Sequence, residues 1–196
     1  MSEYIKEFKK TITDEELSEL PLSIFEGKIH LIEKVEDFTA AVNYLKKQPI
    51  LGFDTETRPA FKKGQSHQVA LLQLSTADQA FLFRTNLIGL SPGLIKILSS
   101  PSILKIGVAI RDDIKILQKI VPFKPGGFVE LQEMVKLFGI ENFSLKKLAA
   151  IVHGVRISKS QRLTNWEATI LTEQQQVYAA TDAWIAYEIY IGLTKK

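Results

Sequence analysis

The stretch Ile50-Leu51-Gly52-Phe53-Asp54-Thr55-Glu56 constrains this chain more than any other. Pro49 and Pro59 bracket it, and the apolar residues between them read as a buried strand rather than a helix. Strand side chains alternate, so Leu51, Phe53 and Thr55 face one way while Gly52, Asp54 and Glu56 face the other. Two carboxylates therefore emerge side by side at the end of a core strand, which is costly unless a cation neutralises them. Hard oxygen donors of this kind favour Mg²⁺ or Mn²⁺ over zinc. An isolated Asp-x-Glu also fits two solvated acids where a strand meets its loop, so acids elsewhere in the chain must decide.

With 196 residues and 45% hydrophobic content, the chain suits one domain with a real core. The expected division is an N-terminal extension with a short helix over 1–27 and the domain proper over 28–196. The sequence contains no apolar run long enough to span a membrane, and Met1 to Lys10 is too charged for a signal peptide, so a soluble, intracellular and cytoplasmic protein is expected. The absence of cysteine excludes disulfides, thiol catalysis and cysteine-ligated zinc. A net charge of +3 permits a polyanionic partner without requiring one.

The pattern predicts an α/β fold. Thr13 and Glu16 form a capping box for a short helix before Pro21. Strands are expected from Lys28 to Glu33, Gln68 to Ser75, Gln79 to Arg84, Ile103 to Ala109 and Phe128 to Leu131, beside the central one. Helices are expected from Val35 to Lys47, from the Ser91-Pro92 start to Leu98, from Ile110 to Ile120, around Glu133 to Phe138, from Leu145 to Val152 capped by Ser144, and from Thr172 to Ile191. Together these give a mixed central sheet of about five strands flanked by helices. The strand from Ile103, reached by a helical crossover, is expected to lie parallel to the central strand.

Two further acids interrupt apolar helix faces. At about 100° per residue, Asp113 falls on the stripe of Ile110, Leu117 and Ile120, whereas Asp112 points to the far side. In the last helix Tyr178, Asp182, Ile185 and Ile189 share one stripe. A buried Asp182 satisfied by a tyrosine hydroxyl or an arginine is the structural alternative. Four inward or edge acids on three elements, with a tyrosine beside the last, favour a pair of bound divalent ions. Asp54, Glu56, Asp113 and Asp182 are the candidate metal ligands, and with Tyr178 the candidate catalytic set. A two-ion site suits phosphodiester hydrolysis, with the tyrosine hydroxyl orienting water. Glu130 and Glu133 are reserve acids.

These residues resemble the DEDD 3′→5′ exonucleases of the subclass with tyrosine in the third motif (DEDDy). The motifs are Phe53-Asp-Thr-Glu-Thr57, Ile106 to Leu117 with its acid at Asp113, and Tyr178-Ala-Ala-Thr-Asp182. The resemblance covers about Lys28 to Leu193 and is closest to the exonuclease domain of the Werner-syndrome helicase and to ribonuclease D. It implies a ribonuclease H-like fold, two Mg²⁺ or Mn²⁺ ions, and release of nucleoside 5′-monophosphates from the 3′ end of single-stranded DNA or RNA. Ala109 stands where the pattern tends to have glycine, a departure with no obvious catalytic consequence. A catalytically silent nucleic-acid-binding module on the same fold is the alternative reading.

For nucleic-acid contacts the candidates are Lys62 and Lys63 beyond the first motif, and Lys159 and Arg162 before the last helix, because phosphate contacts supply sequence-independent affinity. Phe61 is a candidate for stacking on a terminal base. Trp166 and Trp184 are expected in the core.

Overall fold

The computed structural model describes residues 7–60 and 67–195. In chain order the elements are α1 (Asp14–Ser18), β1 (Lys28–Ile32), a 3-10 turn (Val35–Asp37), α2 (Phe38–Leu45), β2 (Ile50–Thr57), β3 (Val69–Ser75) and β4 (Gln79–Phe83). They continue with α3 (Thr85–Ile88), α4 (Pro92–Ser99), β5 (Leu104–Gly107), α5 (Arg111–Ile120) and β6 (Phe128–Glu130). The chain ends through α6 (Leu131–Met134), a second 3-10 turn (Val135–Phe138), α7 (Leu145–His153) and α8 (Glu173–Thr194).

Among the described residues, six strands form one mixed sheet in the order β1-β4-β3-β2-β5-β6, where about five are expected, because even the three-residue β6 pairs with β5. β2 lies inside it, antiparallel to β3 and parallel to β5. Alternation along β2 divides the core. Leu51 and Phe53 join Leu72, Leu74, Phe83, Val42, Leu94 and Leu117 on the face covered by α2, α4 and α5. On the other face Leu71, Ala80 and Leu82 pack with Trp166, Tyr178, Ala179 and Ala180 of the α8 layer.

The longest helix, α8, is opened by a capping box in which Thr172 and Gln175 satisfy each other's backbone amides. Its alanines at 179, 180, 183 and 186 are 0–1% exposed, and such small side chains let the helix backbone sit close on the sheet. The closest approach is at Gly52, where a Cβ would lie 1.9 Å from the carbonyl oxygen of Ala183.

The expected capping box of Thr13 and Glu16 opens α1, whose Leu17 packs with Ile12 on Ala150 of α7. The segment then runs along the domain: Ser23 N donates to Arg156 O at 2.8 Å, and Phe25 N donates to Thr181 Oγ1 at 2.9 Å. Ser144 holds the cap position of α7 through its carbonyl, which accepts from Lys147 N and Leu148 N, but its side chain makes no cap bond. The expected hydroxyl cap is thus absent, and Ser144 Oγ is buried without a partner among the described residues.

Candidate active site

Near the end of β2, Asp54 and Glu56 project onto the α8 face, and α8 brings Asp182 and Tyr178 down onto them. One carboxylate oxygen from each of Asp54, Glu56 and Asp182 lies within 4.8 Å of the other two. The β2–β3 register slips just beyond, with Glu56 opposite Leu71 but Thr57 opposite Val69. Such a bulge bends the strand and ends regular pairing where the acids emerge.

Asp113 arrives from the opposite face of β2. Thr55 points to that side, and its Oγ1 donates to Asp113 Oδ1. The four sequence-predicted acids therefore fall into a cluster of three and a fourth held one hydrogen bond from β2. Asp113 is half-buried; Asp112 is exposed and pairs with Lys115 at 2.8 Å, which holds its carboxyl below the usual range.

A cavity of about 350 Å³ opens over the cluster, with Asp54, Glu56, Tyr178, Asp182, Lys159 and Arg162 among its walls. Burial first, and then neighbouring carboxylates, pushes Asp54 well above its ordinary value. The same causes push Glu56 to about 10, opposed by Arg162. Burial pushes Asp182 up to about 7 against a hydrogen bond from Tyr178 and the charge of Lys159. Burial and the acids together raise Tyr178 above the ordinary phenol value, so its hydroxyl keeps its proton. These carboxylates cannot all be charged unaided, and their oxygens form a hard, anionic donor set that fits Mg²⁺ or Mn²⁺. Lys159 and Arg162 stand at the cavity, whereas Phe61, Lys62 and Lys63 lie outside the described residues.

The pKa shifts have a consequence for stability. A carboxylate whose folded pKa is raised binds its proton more tightly in the folded state, so its stabilisation is present at low pH and lost as pH rises through the folded value. In chelator, the urea midpoint is expected to fall as pH rises from about 4, the unfolded range, through about 7 and towards about 10. A midpoint that rises over that range would contradict the electrostatic picture of the cluster.

A 3′-5′ exonuclease family model matches residues 29–196. The chain belongs to the 3′-5′ exonuclease family. It is 37% identical over 147 residues to the mouse bifunctional 3′-5′ exonuclease/ATP-dependent helicase WRN, covering 72% of this chain and 10% of that protein. Ribonuclease D of Gluconacetobacter diazotrophicus is 30% identical over 169 residues, covering 82% of this chain and 41% of the relative. The chain thus spans less than half the length of either relative. The solved Nibbler EXO domain of Aedes aegypti superposes with a TM-score of 0.77 at 28% identity, covering 87% of this chain and 88% of that one. The sheet and its helices are the ribonuclease H-like exonuclease fold. Among the described residues, no helix is long and apolar enough to cross a membrane.

Within this exonuclease fold several residues position the site without being legible in the motifs. Glu130 is not a spare ligand. Its carboxylate accepts from Ala109 N at 2.8 Å, Ile110 N at 2.9 Å and Gln132 N at 3.2 Å, which anchors the start of the helix that carries Asp113. Glu133 pairs with Lys136 instead. The departure at Ala109 matters more than its small size suggests, since it has a φ of 59°, the one positive value at a non-glycine among the described residues. An L-residue pays about 1–2 kcal/mol in the left-handed region, against about 0.5–1 kcal/mol for glycine's extra chain entropy. Ala109→Gly is therefore expected to raise stability by about 0.5–1 kcal/mol, read from the urea midpoint. A loss of stability would mean that the methyl packs usefully.

Proposed function

We propose that the chain is a divalent-metal-dependent 3′→5′ exonuclease that shortens single-stranded DNA or RNA from its 3′ end and releases nucleoside 5′-monophosphates. The observation that carries this reading is the convergence of Asp54, Glu56 and Asp182 oxygens within 4.8 Å, in a cavity that also holds Tyr178, Lys159 and Arg162. Asp54, Glu56 and Asp182 would hold two Mg²⁺ or Mn²⁺ ions together with Asp113. When bound, such ions lower the pKa of the attacking water and stabilise charge on the phosphate and the leaving oxygen.

The chain's own groups do the rest. Water attacks the last phosphorus, the bond to the preceding O3′ breaks, and the shortened strand keeps a new 3′-hydroxyl. Tyr178, held protonated, uses its hydroxyl to orient the water; the phenolate that a base would require is scarcely populated at neutral pH. Lys159 and Arg162 offset the negative charge of the approaching backbone. Phe61, Lys62 and Lys63 are assigned substrate contacts from the sequence alone.

The test is digestion of matched 5′-labelled single-stranded DNA and RNA with Mg²⁺, Mn²⁺ or EDTA. A metal-dependent ladder shortening from the 3′ end is expected, and its rates on the two substrates report which sugar is preferred. Intact substrate in every metal condition, with folded protein, would favour the silent binding module. Asp113→Asn is expected to lower kcat at least 100-fold, because Asp113 lies beside β2, while Asp112→Asn should change it less than about twofold. Equal losses would sink the assignment of the second-motif acid.

A further inference from the structure

Gln73 is the cross-strand partner of Asp54 in the antiparallel β2–β3 pair. Residues so paired point to the same face, with Cβ atoms about 4.5–5.5 Å apart. That face lies under α8, since the adjacent pair on it, Gly52 and Ser75, meets Ala183. Gln73 is 0% exposed, and neither its Nε2 nor its Oε1 has a partner among the described residues. An unpaired amide in a sheet core costs roughly 1–3 kcal/mol, and cores normally avoid one. Ser75 Oγ on the same face and Trp166 Nε1 are likewise buried without a partner among the described residues, but neither carries a charge that would call for an amide donor.

What does call for one is Asp54. Its Oδ1 accepts from Thr55 N at 2.9 Å, which leaves the carboxylate free to take a second hydrogen bond from a neighbour on its own face. We propose that Gln73 is a positioning residue: its amide donates to the Asp54 carboxylate through one buried water and fixes its orientation for a divalent ion. Groups that hold a ligating carboxylate from behind typically change metal affinity 10–100-fold when removed. Gln73 touches neither substrate nor the reacting atoms. This inference rests on the metal-dependent reading above and adds a residue that the three motifs do not contain.

The experiment is a Mn²⁺ titration followed by thermal shift, on wild type, Asp54→Ala and Gln73→Met, with urea unfolding of each in EDTA. Methionine keeps the length and volume of glutamine without the amide. Gln73→Met is expected to stay folded in EDTA, with a urea midpoint at or slightly below that of wild type because one water-mediated hydrogen bond to the Asp54 carboxylate has been removed and the side-chain volume kept, and to need 10- to 100-fold more Mn²⁺ for half the shift. Wild-type Mn²⁺ dependence in Gln73→Met would overturn the proposal while leaving the metal-dependent reading intact. No Asp54-dependent shift in wild type would overturn both. Gln73→Leu guards against a packing fault peculiar to methionine; loss of folding in EDTA by both variants would show a purely structural amide and overturn the assignment.

Discussion

Asp54→Ala and Asp182→Ala are each expected to lower kcat by at least about 1,000-fold while leaving the metal-free protein as stable as wild type or more so. The two effects have one cause. Asp54, Glu56 and Asp182 present oxygens within 4.8 Å of one another, and burial raises the pKa of all three, with neighbouring carboxylates adding to the rise at Asp54 and Glu56. Each variant removes a buried carboxyl that the metal-free fold must hold against its unfolded-state ionisation, a gain of about 1–2 kcal/mol in chelator at neutral pH. With Mn²⁺ present the order should reverse, since wild type then gains binding energy that the variants lack. Urea unfolding with EDTA and with Mn²⁺, beside single-strand digestion, reads both halves. A variant that is less stable than wild type in EDTA would mean that the carboxylate holds the fold together rather than straining it.

Gly52→Ala should be the most damaging substitution outside the acids. The new Cβ would lie 1.9 Å from Ala183 O and 2.7 Å from Ser75 Oγ. Ala183 is backbone of α8 and cannot swing aside as a flexible side chain can, so the helix must lift from the sheet. Overpacking of this kind costs about 3 kcal/mol or more. Asp182 precedes Ala183 and moves with it, and misplacing a reacting group by about 1 Å can cost 100-fold in rate. Both losses are expected together, in the urea midpoint and in kcat at saturating Mn²⁺. Wild-type stability in Gly52→Ala would show that the contact between α8 and β2 is looser than the structure places it.

Much of the architecture was legible along the chain because its signals are local. Alternation in Ile50–Thr57 reveals which residues share a strand face. Thr13 with Glu16 and Thr172 with Gln175 announce helix starts through hydrogen bonds that span three residues. Helical spacing separates the half-buried Asp113 from the exposed Asp112, and puts Tyr178 and Asp182 on the buried side of α8. The resemblance in the three motifs agrees with the family match over 29–196. The candidate acids were readable for the same reason: a charged residue interrupting an apolar period stands out within a few residues.

The remaining features depend on contacts between distant segments, which leave no period in the sequence. Ser144 has the residue type of a cap, but only the packed chain shows its hydroxyl unbonded. Ala109 looks like an innocuous small residue until the turn from β5 into α5 demands a positive φ. Glu130 resembles a spare ligand until β6 pairs with β5 and brings its carboxylate to the amides of Ala109 and Ile110. Gly52 and Gln73 acquire their significance from the β2–β3 register and from α8 lying directly upon it. Local propensity shapes each element and the face it buries; register, helix approach and the partner of each buried polar group arise only when elements far apart in sequence pack together.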